Sequence, residues 1–315
     1  MSAGPIVALA GGVGAARFLR GLMQVVAAEE IVAIVNTGDD RSFYGVHVSP
    51  DLDIVTYTLA GAVDFEKGYG LAGDTTHLVD RLGELGHESW FRLGDRDYAN
   101  CLHRSLALQA GARLTETADI LRKSYRVPVR ILPMSNDLCP TRVELSGGRK
   151  VHFEEYMVRD GAPSDVEAVD LSAARQATPA PGVLEAIAEA RAIVVCPSNP
   201  VVSIGPILAL PGVRAAIRAS RARVVGVSPI VGGAPVKGPA AQLLRGVGCE
   251  VSARGVAALY ASWLDGFVID QRDAAQVGDI EALGLACRAV DSMMVNPSVA
   301  ASLATAVLEL AEPNA

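Results

Sequence analysis

The segment from Ile6 to Asp40 constrains the fold more than any other stretch of the chain. Ile6 to Leu9 is a short apolar run that ends in Ala10-Gly11-Gly12-Val13-Gly14. Phe18, Leu19, Leu22, Met23 and Val26 then recur at helical spacing. Ile31 to Val35 is a second β-branched run, ending in Asn36-Thr37-Gly38-Asp39-Asp40. Strand, glycine turn, helix, strand and polar turn make a βαβ unit, which implies a parallel sheet with a right-handed crossover. The same style returns from Val183 onward. Val183 to Ala190 and Gly212 to Ser220 read as helices, and Ala192 to Val195 and Arg223 to Val227 as buried strands. Both strands end in loops rich in Pro, Ser and Gly, Cys196 to Pro200 and Ser228 to Gly233. Ligands of open α/β sheets bind beyond the carboxyl ends of strands, so these loops are expected to face one crevice.

Between Tyr57 and Asp170 the pattern changes. Asp74 to Leu85 and Asp97 to Gln109 read as helical runs, and Val143 to Leu145 with Lys150 to Tyr156 as a hairpin across Ser146-Gly147-Gly148. The expected architecture is an α/β, Rossmann-like three-layer sandwich with a mostly parallel sheet. Residues 1–315 form one domain, and roughly 57–170 is a mixed, largely helical insertion. Hydrophobic residues make up 50% of the 315, enough to fill such a core, and 20% charged residues exclude a disordered chain. A net charge of −7 argues against a nucleic-acid-binding face. No apolar run reaches the roughly 18 residues of a membrane span. The apolar start, Met1 to Ala10, runs straight into the glycine turn and reads as a strand rather than a signal peptide. The five cysteines are scattered without a CxxC pair, as expected of free thiols in a cytoplasmic protein. The five histidines lack metal-site spacing, and no G-x-S-x-G elbow occurs. Positioning plus a metal ion is the simplest chemistry left.

Four groups of residues can carry it. The Gly11 to Gly14 turn joins a strand to a helix, where free N–H groups and the helix dipole favour a phosphate; it is also a turn that needs glycine for geometry alone. The dinucleotide pattern G-x-G-x-x-G is broken by Arg17, which stands one turn into the helix and can reach an anion. Asp39, Asp40, Asp51 and Asp53 form the second group. In an extended segment Asp51 and Asp53 share a face, and carboxylates beside a phosphate loop call for a cation such as magnesium. Alternatively Asp51 caps a helix beginning near Ile54. The third group, Trp90 to Asp97, sets two aromatics beside Arg92 and Arg96. It reads either as a wall for a flat heterocycle or as an Arg–Asp network at a helix start, with Asp95 as its cap. In the fourth, Ser198 and Asn199 lie between two prolines and suit a base or ribose, and Ser228 to Gly238 repeats the idea with Lys237 as a cation.

Ala10 to Arg17, Asn36 to Asp40, Ser49 to Asp53 with Tyr57 to Gly61, and Leu93 to Asp97 resemble the CofD-type 2-phospho-L-lactate transferases of coenzyme F-420 biosynthesis. Ile131 to Ser135, His152-Phe153, Pro197 to Pro206 and Ser228 to Pro235 extend the likeness in the same order. The resemblance implies transfer of a phospho-lactyl or phosphoenolpyruvyl group from a guanosine diphosphate-linked three-carbon acid. The acceptor is the terminal ribityl hydroxyl of 7,8-didemethyl-8-hydroxy-5-deazariboflavin, and GMP leaves. It further implies magnesium held by Asp39 and Asp53, with Asp39, Asp51 and Asp53 as the catalytic carboxylates. Gly11, Gly12, Gly14 and Arg17 would sit against the diphosphate and Ser198 and Asn199 against the guanosine. Asp53, Arg92 and Arg96 would border a deazaflavin pocket built partly by the 57–170 segment. A homodimer is implied as well. Two other readings compete: a CofD-like regulator that binds a nucleotide sugar without catalysis, and a nicotinamide-dependent oxidoreductase. The carboxylates and aromatics between Ser49 and Asp97 argue against the first, and Arg17 in place of the third glycine against the second.

Overall fold

A computed structural model describes residues 4–312; the Met1 to Ala3 part of the expected first strand falls outside the described residues. Seven short segments become strands; the inner ones are buried along nearly their whole length, as a parallel sheet requires, whereas the edge segment Ala286–Val290 carries Arg288 and is only half-buried. The strands are β1 (Ile6–Ala10), β2 (Ile31–Val35), β3 (Arg130–Pro133), β4 (Ala192–Val195), β5 (Arg223–Val227), β6 (Gly266–Asp270) and β7 (Ala286–Val290). One seven-stranded sheet results, in the order β7-β6-β5-β4-β1-β2-β3, with every neighbouring pair parallel.

Alternate residues of each strand feed two cores. Ile6, Ala8 and Ala33 face α1 (Gly12–Leu22), α2 (Pro50–Leu59) and the C-terminal helix Pro297–Ala311, through Phe18, Leu22, Leu52, Val55 and Leu303. Val7, Leu9 and Ile34 face the helices Val183–Glu189, Val213–Ala219 and Ala253–Tyr260. The result is the expected three-layer α/β sandwich. The chain leaves β1 toward β2 on one side and reaches β4 on the other, with Ile6 opposite both Ile31 and Ala192. Strand order therefore reverses at β1, and the loops after β1, β2 and β4 meet above that point. No single helix among the described residues is long and apolar enough to cross a membrane.

The 57–170 span does not leave the sheet as one piece. β3 lies inside it and closes the sheet edge, with Val35 opposite Pro133. Before β3 come α3 (His77–Glu84), α4 (Asp95–Gln109) and α5 (Leu114–Ser124). After it come three antiparallel strands, Arg142–Leu145, Arg149–His152 and Val166–Asp170. Gly147 and Gly148 make the hairpin turn at φ 77 and 80. The second hairpin strand stops at His152, because Glu155–Arg159 coils into a helical turn that buries Tyr156. Ser49 to Asp53 is not extended. Pro50 starts α2, so Asp51 and Asp53 lie in its first turn and point to different sides.

Candidate active site

The end of β1 and the start of α1 are clasped from two directions. The Gly11 N–H donates to Ser198 Oγ at 3.2 Å, and that hydroxyl donates back to the Gly11 carbonyl at 2.8 Å. Gly12, at φ +70, donates its N–H to Asp51 Oδ1 at 2.7 Å. A Cβ at Gly11 would stand 2.7 Å from Asp51 Oδ2, and one at Gly14 2.3 Å from the Pro197 carbonyl oxygen. Gly14→Ala is therefore expected to push α1 off the Pro197 loop at a cost of about 1–3 kcal/mol, read as a lower melting temperature. An unchanged melting temperature would show that the loop yields freely. Asn199 Oδ1 accepts from the N–H groups of Val201 and Val202 at 2.9 and 3.3 Å, capping the turn Pro200–Ile204. Ser198 and Asn199 thus sit beside the glycine turn as expected, but their oxygens serve the fold. The Val13 and Gly14 N–H groups, in the first turn of α1, remain for an anion. Burial, then the nearby Arg17 charge, lowers the Lys237 pKa. Lys237 Nζ donates to the Lys67 carbonyl at 3.5 Å and lies 5.9 Å from the Tyr69 ring centre.

Beyond β2 lies a buried acidic cluster. Asp39, Asp40, Asp51 and Glu154 are 4%, 2%, 6% and 3% exposed. Asn36 Nδ2 donates to Asp51 Oδ2 at 2.9 Å, and Ser49 Oγ to Asp40 Oδ2 at 2.6 Å. Oδ1 of Asp39 and Oδ1 of Asp40 are buried without a partner, as are Thr141 Oγ1 and His152 Nε2. Burial first, then the charges of Asp51, Glu154 and Asp40, pushes the Asp39 carboxyl well above the usual range. Burial raises Asp51 to about 6. Burial and then the Asp51 charge raise Glu154 to about 8. Carboxylates that raise one another beside an unsatisfied Asp39 oxygen suit a hard divalent cation that takes one or two of them together with substrate phosphates. Among the described residues the three donor atoms close enough to share an ion by themselves are on Asp53, Asp97 and Cys101.

Asp39, Asp51 and Glu154 each bind a proton more tightly in the folded protein than in the unfolded chain. Their contribution is thus fully favourable below the unfolded carboxyl values and is lost as pH rises through about 6 and then about 8. In chelator, the melting temperature is expected to fall between about pH 5.5 and 8.5, with added magnesium restoring most at the upper end. A thermal scan with the same profile with and without magnesium would remove the cation from the cluster.

Asp53 faces α4. Arg104 Nη1 reaches its Oδ2 at 3.1 Å and Nη2 holds its Oδ1, with both side chains buried. Burial alone would lower the Arg104 pKa, but the Asp53 carboxylate more than offsets this and holds it above its ordinary value. The structure does not bring Asp39 and Asp53 into one group of close donor atoms among the described residues; Asp53 shares such a group with Asp97 and Cys101. Asp39 stands with Asp51 and Glu154, and both Asp53 oxygens belong to Arg104. Asp97, in the first turn of α4, faces Asp53: an oxygen of each and Cys101 Sγ lie within 4.8 Å of one another. Asp53, Asp97, Tyr57, Tyr69, Phe91 and Arg92 help line a cavity of about 370 Å³. A neighbouring cavity of about 450 Å³ is bordered by Arg96, Asn100 and Tyr125.

The Trp90 to Asp97 group divides. Phe91 stacks on Phe43 at 3.8 Å and lines the cavity, while Trp90 turns its edge to Phe43 at 5.2 Å. Arg92 pairs with Asp80 at 2.7 Å and bonds Thr76 Oγ1 at 2.7 Å. Arg96 reaches Asp74 at 3.7 Å. Asp95 does not cap its own helix; it accepts the His77 and Leu78 N–H groups and caps α3. Asp74 accepts the Arg96 and Asp97 N–H groups and caps α4 in return. Glu154 and Arg104 escape sequence reasoning because nothing local links either to its partner. Leu93 to Asp97 is the one motif that signals Asp97.

The family model for 2-phospho-L-lactate transferase CofD matches residues 6–297. The chain belongs to the CofD family. This CofD-family chain is 50% identical over 313 residues to a phosphoenolpyruvate transferase of Kitasatospora aureofaciens, covering 98% of both. It is 39% identical over 305 residues to a 2-phospho-L-lactate transferase of Methanosarcina acetivorans, covering 97% of this chain and 98% of that one. Among solved structures, a UPF0052-family protein of Bacillus halodurans aligns with a TM-score of 0.64 at 19% identity, over 98% of this chain and 100% of that one. That likeness is one of fold.

Proposed function

We propose that this CofD-family chain is a magnesium-dependent transferase of coenzyme F-420 biosynthesis. It moves the phosphate bearing a three-carbon acid from a guanosine diphosphate-linked donor to the terminal ribityl hydroxyl of 7,8-didemethyl-8-hydroxy-5-deazariboflavin, and GMP leaves. The enolpyruvyl donor is favoured over the lactyl one, because relatives at 50% and 49% identity are named phosphoenolpyruvate transferases and one at 39% a 2-phospho-L-lactate transferase. The observation that carries the reading is the buried Asp39–Asp51–Glu154 cluster with its unsatisfied oxygen, bonded to the glycine turn through Asp51 and Gly12, while Asp53, on the same helix as Asp51, lines the adjoining cavity.

Asp39, with Asp51 or Glu154 and the substrate phosphates, would hold magnesium, which would neutralise phosphate charge. The Val13 and Gly14 N–H groups bind diphosphate oxygens at the positive end of α1, and Arg17 and Lys237 add cationic charge. The Pro197–Pro200 loop takes the guanosine side, where the Asn199 amide nitrogen is still a donor. Phe91 and Tyr69 flank the deazaflavin, with Arg92 and Arg96 at its border. Catalysis is alignment of the acceptor oxygen with phosphorus, with no covalent intermediate on the protein. The free cysteines fit a reducing, cytoplasmic setting. Leu102 and Leu106, one turn apart on α4 and 40% and 57% exposed, offer apolar surface to a homodimer.

The test incubates the protein with magnesium, the deazaflavin precursor and each guanylylated acid, and resolves the products by chromatography and mass. A phosphorylated deazaflavin carrying the acid, together with GMP, is expected, with the enolpyruvyl donor preferred. Folded protein that binds guanine nucleotide but yields no product from either donor would leave the regulatory, nucleotide-sugar-binding reading.

A further inference from the structure

Asp53 and Asp97 face one another in the same cavity, but their surroundings differ. Asp53 has a guanidinium across both oxygens. Asp97 has one side-chain hydrogen bond, received at Oδ1 from the Tyr57 hydroxyl at 2.7 Å. Asn100 Nδ2 donates to that same Tyr57 oxygen at 3.0 Å and to Tyr125 at 3.0 Å, so the phenol is held with its proton toward Asp97. The backbone of Asp97 is fixed by its own N–H, which donates to Asp74 Oδ2 at 3.1 Å. One carboxylate is thus locked by a cation, and the other is held in place with an oxygen left over on the cavity wall. Such a divided pair is how a site separates a permanent anion from a proton acceptor.

We propose that Asp97 is the general base of the transfer, its second oxygen taking the proton of the acceptor hydroxyl, with Tyr57 as the positioning residue that holds it. The inference rests on the function proposed above and names the group that activates its acceptor. In the step, the acceptor O–H bond breaks and its proton passes to Asp97. The oxygen forms a bond to the phosphorus that bears the three-carbon acid. The bond from that phosphorus to the bridging oxygen breaks, and GMP departs with the electron pair. Asp97 then returns its proton to solvent.

The charged and titratable groups around Asp97 agree. Asp53 and Tyr57 come from α2, Cys101 and Arg104 from α4, and Asp74 from the loop before α3. Burial first, then the Asp53 charge, raises Asp97 to about 7, where a base exchanges its proton near neutral pH. Burial and then Asp53 push both the Cys101 thiol and the Tyr57 phenol well above their usual values. Those two therefore remain neutral, which leaves Asp97 as the acceptor.

The experiment measures kcat and KM for wild type, Asp97→Asn, Asp97→Glu and Tyr57→Phe across about pH 5.5–9, each checked for folding by thermal denaturation. Wild type is expected to show an acidic arm in kcat near pH 7. Asp97→Asn should lose about 100-fold or more in kcat and lose the arm, with little change in the acceptor KM. Asp97→Glu should regain part of the rate. Tyr57→Phe should keep the arm but move it to higher pH, because the lost hydrogen bond favoured the ionised form. Wild-type kcat and arm in Asp97→Asn, or a loss confined to KM, overturn the inference. If Asp97→Asn does not fold, an unshifted arm in both Asp97→Glu and Tyr57→Phe overturns it instead. Wild type that transfers nothing sinks the proposed reaction itself, a result distinct from either.

Discussion

Arg104→Met is expected to destabilise the protein by about 3–5 kcal/mol, because it strands the Asp53 carboxylate in a buried site without its cation. The melting temperature should drop by about 10 °C or more. Cys101 Sγ, 4.0 Å from Asp53 Oδ2, is too weak a donor to substitute. The double variant Arg104→Met with Asp53→Leu tests the cause. An apolar pair of similar volume removes the uncompensated charge, so most of the lost stability should return while transfer stays impaired. Thermal denaturation of wild type and the two variants decides the matter. An Arg104→Met protein that melts with wild type would mean that water or a neighbouring group screens Asp53. Recovery of stability in the double variant would make Asp53 a structural anion at the edge of the cavity it lines, whose substitution perturbs α2 against α4.

Asp39→Asn is expected to lower transfer by about 10²–10³-fold while raising the stability of the metal-free protein at pH 8. The two effects have one origin. Asp39 sits fully buried among Asp51, Glu154 and Asp40 with an oxygen that no protein group satisfies. Removing its charge relieves repulsion in the absence of a cation and removes a ligand in its presence. The magnesium-dependent rise in melting temperature should shrink in the same variant. Paired activity and melting measurements, with and without magnesium, check all three. Full activity would exclude Asp39 from the site. Lower stability without magnesium would make it a structural group and leave the cation elsewhere.

How much of this was legible in the sequence varies by element. The runs at Ile6, Ile31, Ala192 and Arg223 were legible as strands, because a short apolar stretch closed by Gly, Pro or a polar turn has few other solutions. The edge strand Arg130–Pro133 was not, since its pairing depends on the free edge of β2 rather than on its own pattern. The Ser49–Asp53 segment left two conformations open, and Pro50 at the first helical position settles it as helix.

The glycine turn, the parallel α/β sheet, the loops that gather at one end of it and the membership of the CofD family all follow from the linear order of residues. Each depends on local periodicity, turn chemistry or motifs read along the chain. The partition of the carboxylates does not. Asp51 and Asp53 are two positions apart, yet the charge of one acts on Asp39 and Glu154 and the other joins Arg104. Residue 154 lies beyond a hairpin and residue 104 on a separate helix, so their partnerships exist only once the helices and the small antiparallel sheet have packed. Charges brought together in that way set one another's protonation through space, over distances that sequence separation does not encode.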